Sequence, residues 1–136
     1  MTVLGRRVAQ GEMRRTVLGR RTMGGQEILV ISSHREATHV VITLVGELDM
    51  GGTEPLAAEV QNALSEPTTD ALEIDMRGVS FADSAGLQAI LAAQDTTQLA
   101  GVAFRLVGVS PVVSRVIHLA GVDHLLLPTA EDAGSS

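Results

Sequence analysis

The chain has no cysteine, no lysine, no tryptophan and no tyrosine, and its aromatic complement is two phenylalanines, Phe81 and Phe104. Without cysteine there are no disulfides, no zinc–thiolate sites and no thiol catalysis. Without lysine there is no phosphate-loop lysine, and no Gly-x-x-x-x-Gly-Lys-[Ser/Thr] segment occurs. So few aromatics cannot build the stacking platforms that hold single-stranded nucleic acid. No window approaches the roughly 18 uninterrupted apolar residues of a membrane span. The first 25 residues carry arginines throughout and lack the apolar stretch of a secretory signal. A soluble, cytoplasmic protein without metal or cofactor is expected.

What is present suits one domain: 136 residues, of which 45% are apolar. All ten basic residues are arginine, a skew that suggests a GC-rich bacterial genome. Charge is unevenly spread. Residues 1–25 hold six arginines against Glu12, whereas residues 26–136 hold four arginines against fifteen acids. The acidic body would repel phosphate backbones, so no direct nucleic-acid partner is expected for it. Thr2-Val3-Leu4-Gly5-Arg6-Arg7 recurs as Thr16-Val17-Leu18-Gly19-Arg20-Arg21, and Gly24-Gly25 closes the segment. Residues 1–25 therefore read as a disordered basic tail. It is either an arm for an acidic surface or an appendage of little role, with Met13 and Met23 as alternative starts. Residues 129–136 read as a frayed end.

Between these tails the pattern alternates. Ile28–Ser32 and Val40–Val45 are β-rich runs, and the polar turn 33–38 between them implies an antiparallel hairpin. Residues 46–52 read as a loop broken by Gly51-Gly52. Thr53 caps a helix with Leu56, Val60, Ala63 and Leu64 on one face, stopped by Pro67. Leu72, Ile74 and Met76 alternate with Glu73 and Asp75 as a strand does. A second helix carries Leu87, Ile90 and Leu91 and ends at Gly101, and Val102–Val107 is a further strand. Ser110-Pro111 opens a third helix that turns Val113, Val116, Ile117 and Ala120 inward. Residues 124–128 add a short last strand. The order β-β-α-β-α-β-α makes an α/β domain, a mixed sheet with helices largely on one side.

Asp83-Ser84-Ala85-Gly86, set between Val79–Ala82 and the helical pattern Leu87–Leu91, is the most informative stretch. It puts a serine hydroxyl at the positive end of a helix, as a cap, a nucleophile or a phosphate acceptor. A nucleophile elbow needs Gly-x-Ser-x-Gly, and Ala82 stands where the first glycine should be. Partners in the right chain order exist (Asp95 or Asp123, then His118 or His124), but His118 sits among Val116, Ile117 and Leu119 as an ordinary helix residue. His34 and His39 flank a turn with no carboxylate at ligand spacing, and read as loop histidines. Neither catalytic nor metal-binding residues are assigned. Cap and acceptor stay open on the residue pattern alone.

Three segments decide the reading: Leu44-Val45-Gly46-Glu47-Leu48-Asp49, then Asp75–Leu87, then Val109–Gly121. In their order and spacing they resemble the STAS domain family, most closely its bacterial anti-sigma factor antagonists, over roughly residues 26–128. The resemblance implies a four- to five-stranded sheet faced by helices. It also implies partner switching: an anti-sigma factor that is an ATP-dependent serine kinase binds the unmodified antagonist and releases a sigma factor, and phosphorylation ends the binding. Carried over, Ser84 is the acceptor, and Asp49, Asp83, Ala85 and Gly86 join it at the partner-binding surface. Ala85 stands where some members have a second serine, which leaves Ser84 as the only hydroxyl of the motif. ATP and magnesium belong to the kinase, and a phosphatase would restore the free serine. The alternatives are a STAS subunit of a stress-signalling or lipid-transport complex, and, further off, a weak nucleotide-binding protein.

Overall fold

The structure, a computed structural model, describes residues 11–22 and 25–126, with side chains described from Leu29 to Leu126. Five strands form one sheet in the order β1-β2-β3-β4-β5: Gly11–Thr22, Gly25–Glu36, His39–Leu48, Ala71–Ala82 and Ala103–Val107. The first three are antiparallel neighbours, while β4 and β5 run parallel to β3. Three helices complete the fold: α1 (Thr53–Leu64), α2 (Ser84–Leu99) and α3 (Pro111–Leu119). Leu29 and Ile31, Val40, Ile42 and Leu44, Leu72, Ile74 and Met76, and Phe104 bury one face of the sheet. They form a single cluster with Leu56 and Val60 of α1, Leu87 and Ile90 of α2, and Val113 and Ile117 of α3. The mixed sheet covered by helices on one side is thus the expected architecture.

Several boundaries differ from the sequence reading. The largest difference is β1, since Gly11–Thr22 is a strand where a disordered tail was expected. Thr16-Val17-Leu18 supplies a β-prone centre opposite Leu29–Ile31, and Arg20 stands opposite Glu27. Residues 1–10, 23–24 and 127–136, including the expected frayed end, lie outside the described residues. The β2–β3 turn is also shorter than 33–38. Only Ala37 and Thr38 connect Glu36 to its partner His39, with Ala37 at φ 55°. Ser33 and Arg35 stay in the strand because both serve the helix side. Ser33 is buried, and the Arg35 guanidinium donates to Ala63 O (3.2 Å) and Thr69 Oγ1 (2.7 Å), satisfying the end of α1.

The expected loop 46–52 is shorter too, because Gly46, Glu47 and Leu48 continue β3 and Met50–Gly52 form a 3-10 turn. Thr53 is the first helical residue of α1, with Gly52 at the cap position. Ala120 is exposed as the C-cap of α3 and does not face the core. Asp123–Leu126 is a 3-10 turn that buries Leu125, where a last strand was expected from the apolar run. Ser110 caps α3 as its sequence announces, its Oγ accepting from Val113 N at 3.2 Å.

Candidate functional site

The parallel strands β3 and β4 end side by side. Leu48 pairs with Ala82, so the residues that leave the sheet next, Asp49 and Asp83, do so from neighbouring points. Asp83 N donates to Leu48 O at 3.3 Å and ties the two exits together. Each aspartate then opens a helical turn. Asp49 Oδ1 accepts from Gly51 N (3.0 Å) at the start of the 3-10 turn, and Asp83 Oδ1 accepts from Gly86 N (2.8 Å) at the start of α2. Both carboxylates satisfy helix donors that would otherwise lack a partner.

This arrangement corrects one reading of Ser84. The cap of α2 is Asp83, and Ser84 is the first helical residue, exposed to solvent. Its hydroxyl has no hydrogen-bond partner among the described residues, so it carries no structural duty that its modification would undo. Ala85 is half-buried and Gly86 buried. A Cβ on Gly86 would overlap the Leu48 carbonyl oxygen and stand 2.8 Å from its carbon. Glycine there lets α2 begin directly against the end of β3. The structure thus brings together all five residues singled out in the sequence: Asp49, Asp83, Ser84, Ala85 and Gly86.

The side chains at the two strand exits beside Ser84 are acidic, and the histidines are placed elsewhere. His34 pairs with Val41, and His39 opens β3. At about 3.3 Å per residue that places His39 roughly 30 Å along the strand from Leu48. His118 Nδ1 lies 3.2 Å from Asp123 Oδ1 at the far end of α3, and Asp95 is exposed in the middle of α2. Among the described residues no histidine is hydrogen-bonded to Ser84 as an activating base would be. Among the described residues no three His, Asp or Glu side chains converge as a metal site requires. No described helix is long and apolar enough to cross a membrane.

Two residues at this edge escaped the sequence reading. Met50 follows Asp49 and is 72% exposed, and Phe81 lies two residues before Asp83 and is 44% exposed. Met50 also lines a shallow recess with Gly51, Thr53, Glu54 and Pro55. An apolar residue in an apolar run reads as core, and only the pairing of β4 with β3 shows that Phe81 faces outward.

The comparisons agree with this geometry. A family model described as Mlab, STAS domain, matches residues 31–128. The anti-sigma F factor antagonist of Lysinibacillus sphaericus is 30% identical over 95 residues, covering 68% of this chain and 80% of that protein. An anti-sigma factor antagonist from Mycobacterium paratuberculosis superposes with TM-score 0.59 at 25% identity, over 89% of this chain and 92% of its own. The anti-sigma factor antagonist SpoIIAA is similar in both of its solved forms. The unphosphorylated form gives TM-score 0.58 at 26% identity over 71% of this chain and 85% of that one. The phosphorylated form, from Bacillus, gives 0.53 at 25% over 73% and 90%. With its sheet, its helices and its matched length in accord, this chain belongs to the STAS domain family, and its relatives there include anti-sigma factor antagonists.

Proposed function

We propose that this protein is a cytoplasmic anti-sigma factor antagonist that works by partner switching and catalyses nothing itself. Unmodified, it binds an anti-sigma factor that is also a serine kinase, and a sigma factor is released. The kinase, using its own ATP and magnesium, phosphorylates Ser84, and the complex no longer forms until a phosphatase removes the group. The observation that carries this reading is the position of Ser84. It is exposed on the first turn of α2, relieved of capping by Asp83, and set beside Asp49 across the paired strand ends. That SpoIIAA exists in phosphorylated and unphosphorylated forms supports it.

The physics of the switch follows from this placement. A phosphate adds about −1.5 to −2 charges. At a helix N-terminus an anion is favourable by roughly 0.3–1 kcal/mol, so the fold has no reason to open. The added charge falls instead beside Asp83 and Asp49, on a surface that a partner must desolvate. There it is repelled and stripped of water. The switch acts on the interface and leaves the core alone.

The test uses the cognate anti-sigma factor with ATP. Intact mass should show one phosphate on the wild type and none on Ser84→Ala. In pull-downs Ser84→Ala should capture the anti-sigma factor and Ser84→Asp should not. Phosphorylation of Ser84→Ala, or equal capture by both variants, refutes the assignment and favours a STAS subunit that does not use Ser84.

A further inference from the structure

Phe81 faces solvent because β4 carries an extra residue. Buried positions on this strand fall at 72, 74 and 76, then at 79 and 82. Register shifts against β3 explain the wider steps: Thr43 pairs with Asp75 but Val45 with Gly78, and Gly46 pairs with Val79 but Glu47 with Phe81. Once Val79 faces the core, unbroken alternation would turn Phe81 inward two residues later. The second bulge, at Ser80, turns Ala82 inward in its place and aims Phe81 out. The chain's other phenylalanine, Phe104, is fully buried. Half of a two-residue aromatic complement therefore stands at the same sheet edge as Ser84.

Met50 is the matching feature on the neighbouring strand exit. It lies one residue beyond Asp49, while Phe81 lies two residues before Asp83, and Asp49 and Asp83 follow directly paired residues. The charge around the two is mainly acidic, Arg77, four residues before Phe81 and 3.7 Å from Asp75 Oδ1, being the basic residue near them in sequence. Glu47, Asp49, Glu54 and Asp83 lie within four residues of Met50 or Phe81 in sequence. No arginine occurs between Arg35 and Arg77 or between Arg77 and Arg105, and the chain has no lysine. By contrast, exposed Leu99 and Leu119 stand singly at the far ends of α2 and α3, which is ordinary for a protein surface.

We infer that Phe81 and Met50 are the apolar anchors by which the unmodified protein holds its anti-sigma factor, an inference that rests on the function proposed above. Aromatic residues and methionine are enriched at interface centres, where a few side chains carry most of the affinity. The occupant is a surface of the anti-sigma factor with an apolar pocket for the two side chains, carrying arginine or lysine where it meets Glu47 and Glu54 and no cation where it closes on Ser84, so that a phosphate there is stripped of water without a partner. The two anchors supply affinity, and the phosphate on Ser84, three residues from Phe81, vetoes it.

The test is the affinity of Phe81→Ser, Met50→Ser and the double variant for the cognate anti-sigma factor, by titration calorimetry, with Leu99→Ser as control. Each single variant should weaken binding by about tenfold or more, as truncated interface anchors do, and Leu99→Ser should match the wild type. Circular dichroism melts should stay near wild type for Met50→Ser and Leu99→Ser, which are 72% and 88% exposed, and fall somewhat for Phe81→Ser, since Phe81 is 44% exposed. Should a serine variant melt early, Phe81→Leu, which keeps apolar character but not the ring, should still bind several-fold more weakly. Wild-type binding with the double variant and Phe81→Leu within twofold of it overturns the inference alone. A wild type that binds no anti-sigma factor overturns the proposed function, and the inference with it.

Discussion

Replacing Gly86 with alanine sets two known effects against each other, and the structure decides the sign. In a helix the exchange ordinarily gains about 1 kcal/mol, because glycine is a poor helix former. Here the new methyl would overlap the Leu48 carbonyl oxygen and stand 2.8 Å from its carbon and 3.0 Å from Leu48 Cγ, where carbon contacts are comfortable at about 3.5–4.0 Å. Leu48 cannot step aside. It is fully buried, pairs with Ala82, and its carbonyl accepts from Asp83 N. The start of α2 must lift instead, straining the bond from Gly86 N to Asp83 Oδ1. Overpacking of about 1–3 kcal/mol and a weakened cap of about 1 kcal/mol outweigh the helix gain, leaving a net loss of about 1–3 kcal/mol. For a domain near this size that lowers the melting midpoint by roughly 4–14 °C. The assay is urea and thermal unfolding followed by far-ultraviolet circular dichroism, since the chain has no tryptophan or tyrosine to report by fluorescence. A Gly86→Ala protein as stable as the wild type, or more so, would refute the close approach of α2 to β3.

Neighbouring positions should respond very differently. Asp83→Ala should lower stability by about 1 kcal/mol through loss of the cap, while Asp83→Asn, which can still accept from Gly86 N, should lose less. Ser84→Ala, one residue on, should stay within about 0.5 kcal/mol of wild type in the same urea titration. Equal losses at 83 and 84 would mean that the two share the cap. At the β2–β3 turn, Ala37 holds φ 55°. A left-handed conformation costs an L-residue roughly 1–2 kcal/mol, partly offset by the flexibility of glycine, so Ala37→Gly should raise stability by about 0.5–1 kcal/mol. A lower melting midpoint for Ala37→Gly would show that the turn draws on the alanine side chain.

The sequence discloses this fold where the signals are local. Ser110-Pro111 marks the start of α3, Gly101 the end of α2, and alternation at Leu72, Ile74 and Met76 the centre of β4, each by chemistry within a few residues. What it conceals depends on partners distant in the chain. The strand β1 looks like low-complexity sequence until β2 supplies its register. The apolar stretch at 124–128 reads as a strand, yet past Asp123 the chain turns to bury Leu125. At the site, the motif locates the helix start but not its phase, because aspartate and serine are both good caps. Phase is set by Gly86 meeting the end of β3, a contact with a residue 38 positions earlier in the chain. Phe81 is hidden for a similar reason, since a bulge cannot be counted from periodicity alone.

The separation of Asp83 from Ser84 bears on how such a site can evolve. With the carboxylate holding the helix and the neighbouring hydroxyl making no hydrogen bond among the described residues, position 84 can change identity without loss of folding. A descendant could gain or lose a serine here by single-nucleotide steps, with no compensating change in the core. On the function proposed above, responsiveness to a kinase becomes a trait that selection can set independently of the scaffold that displays it.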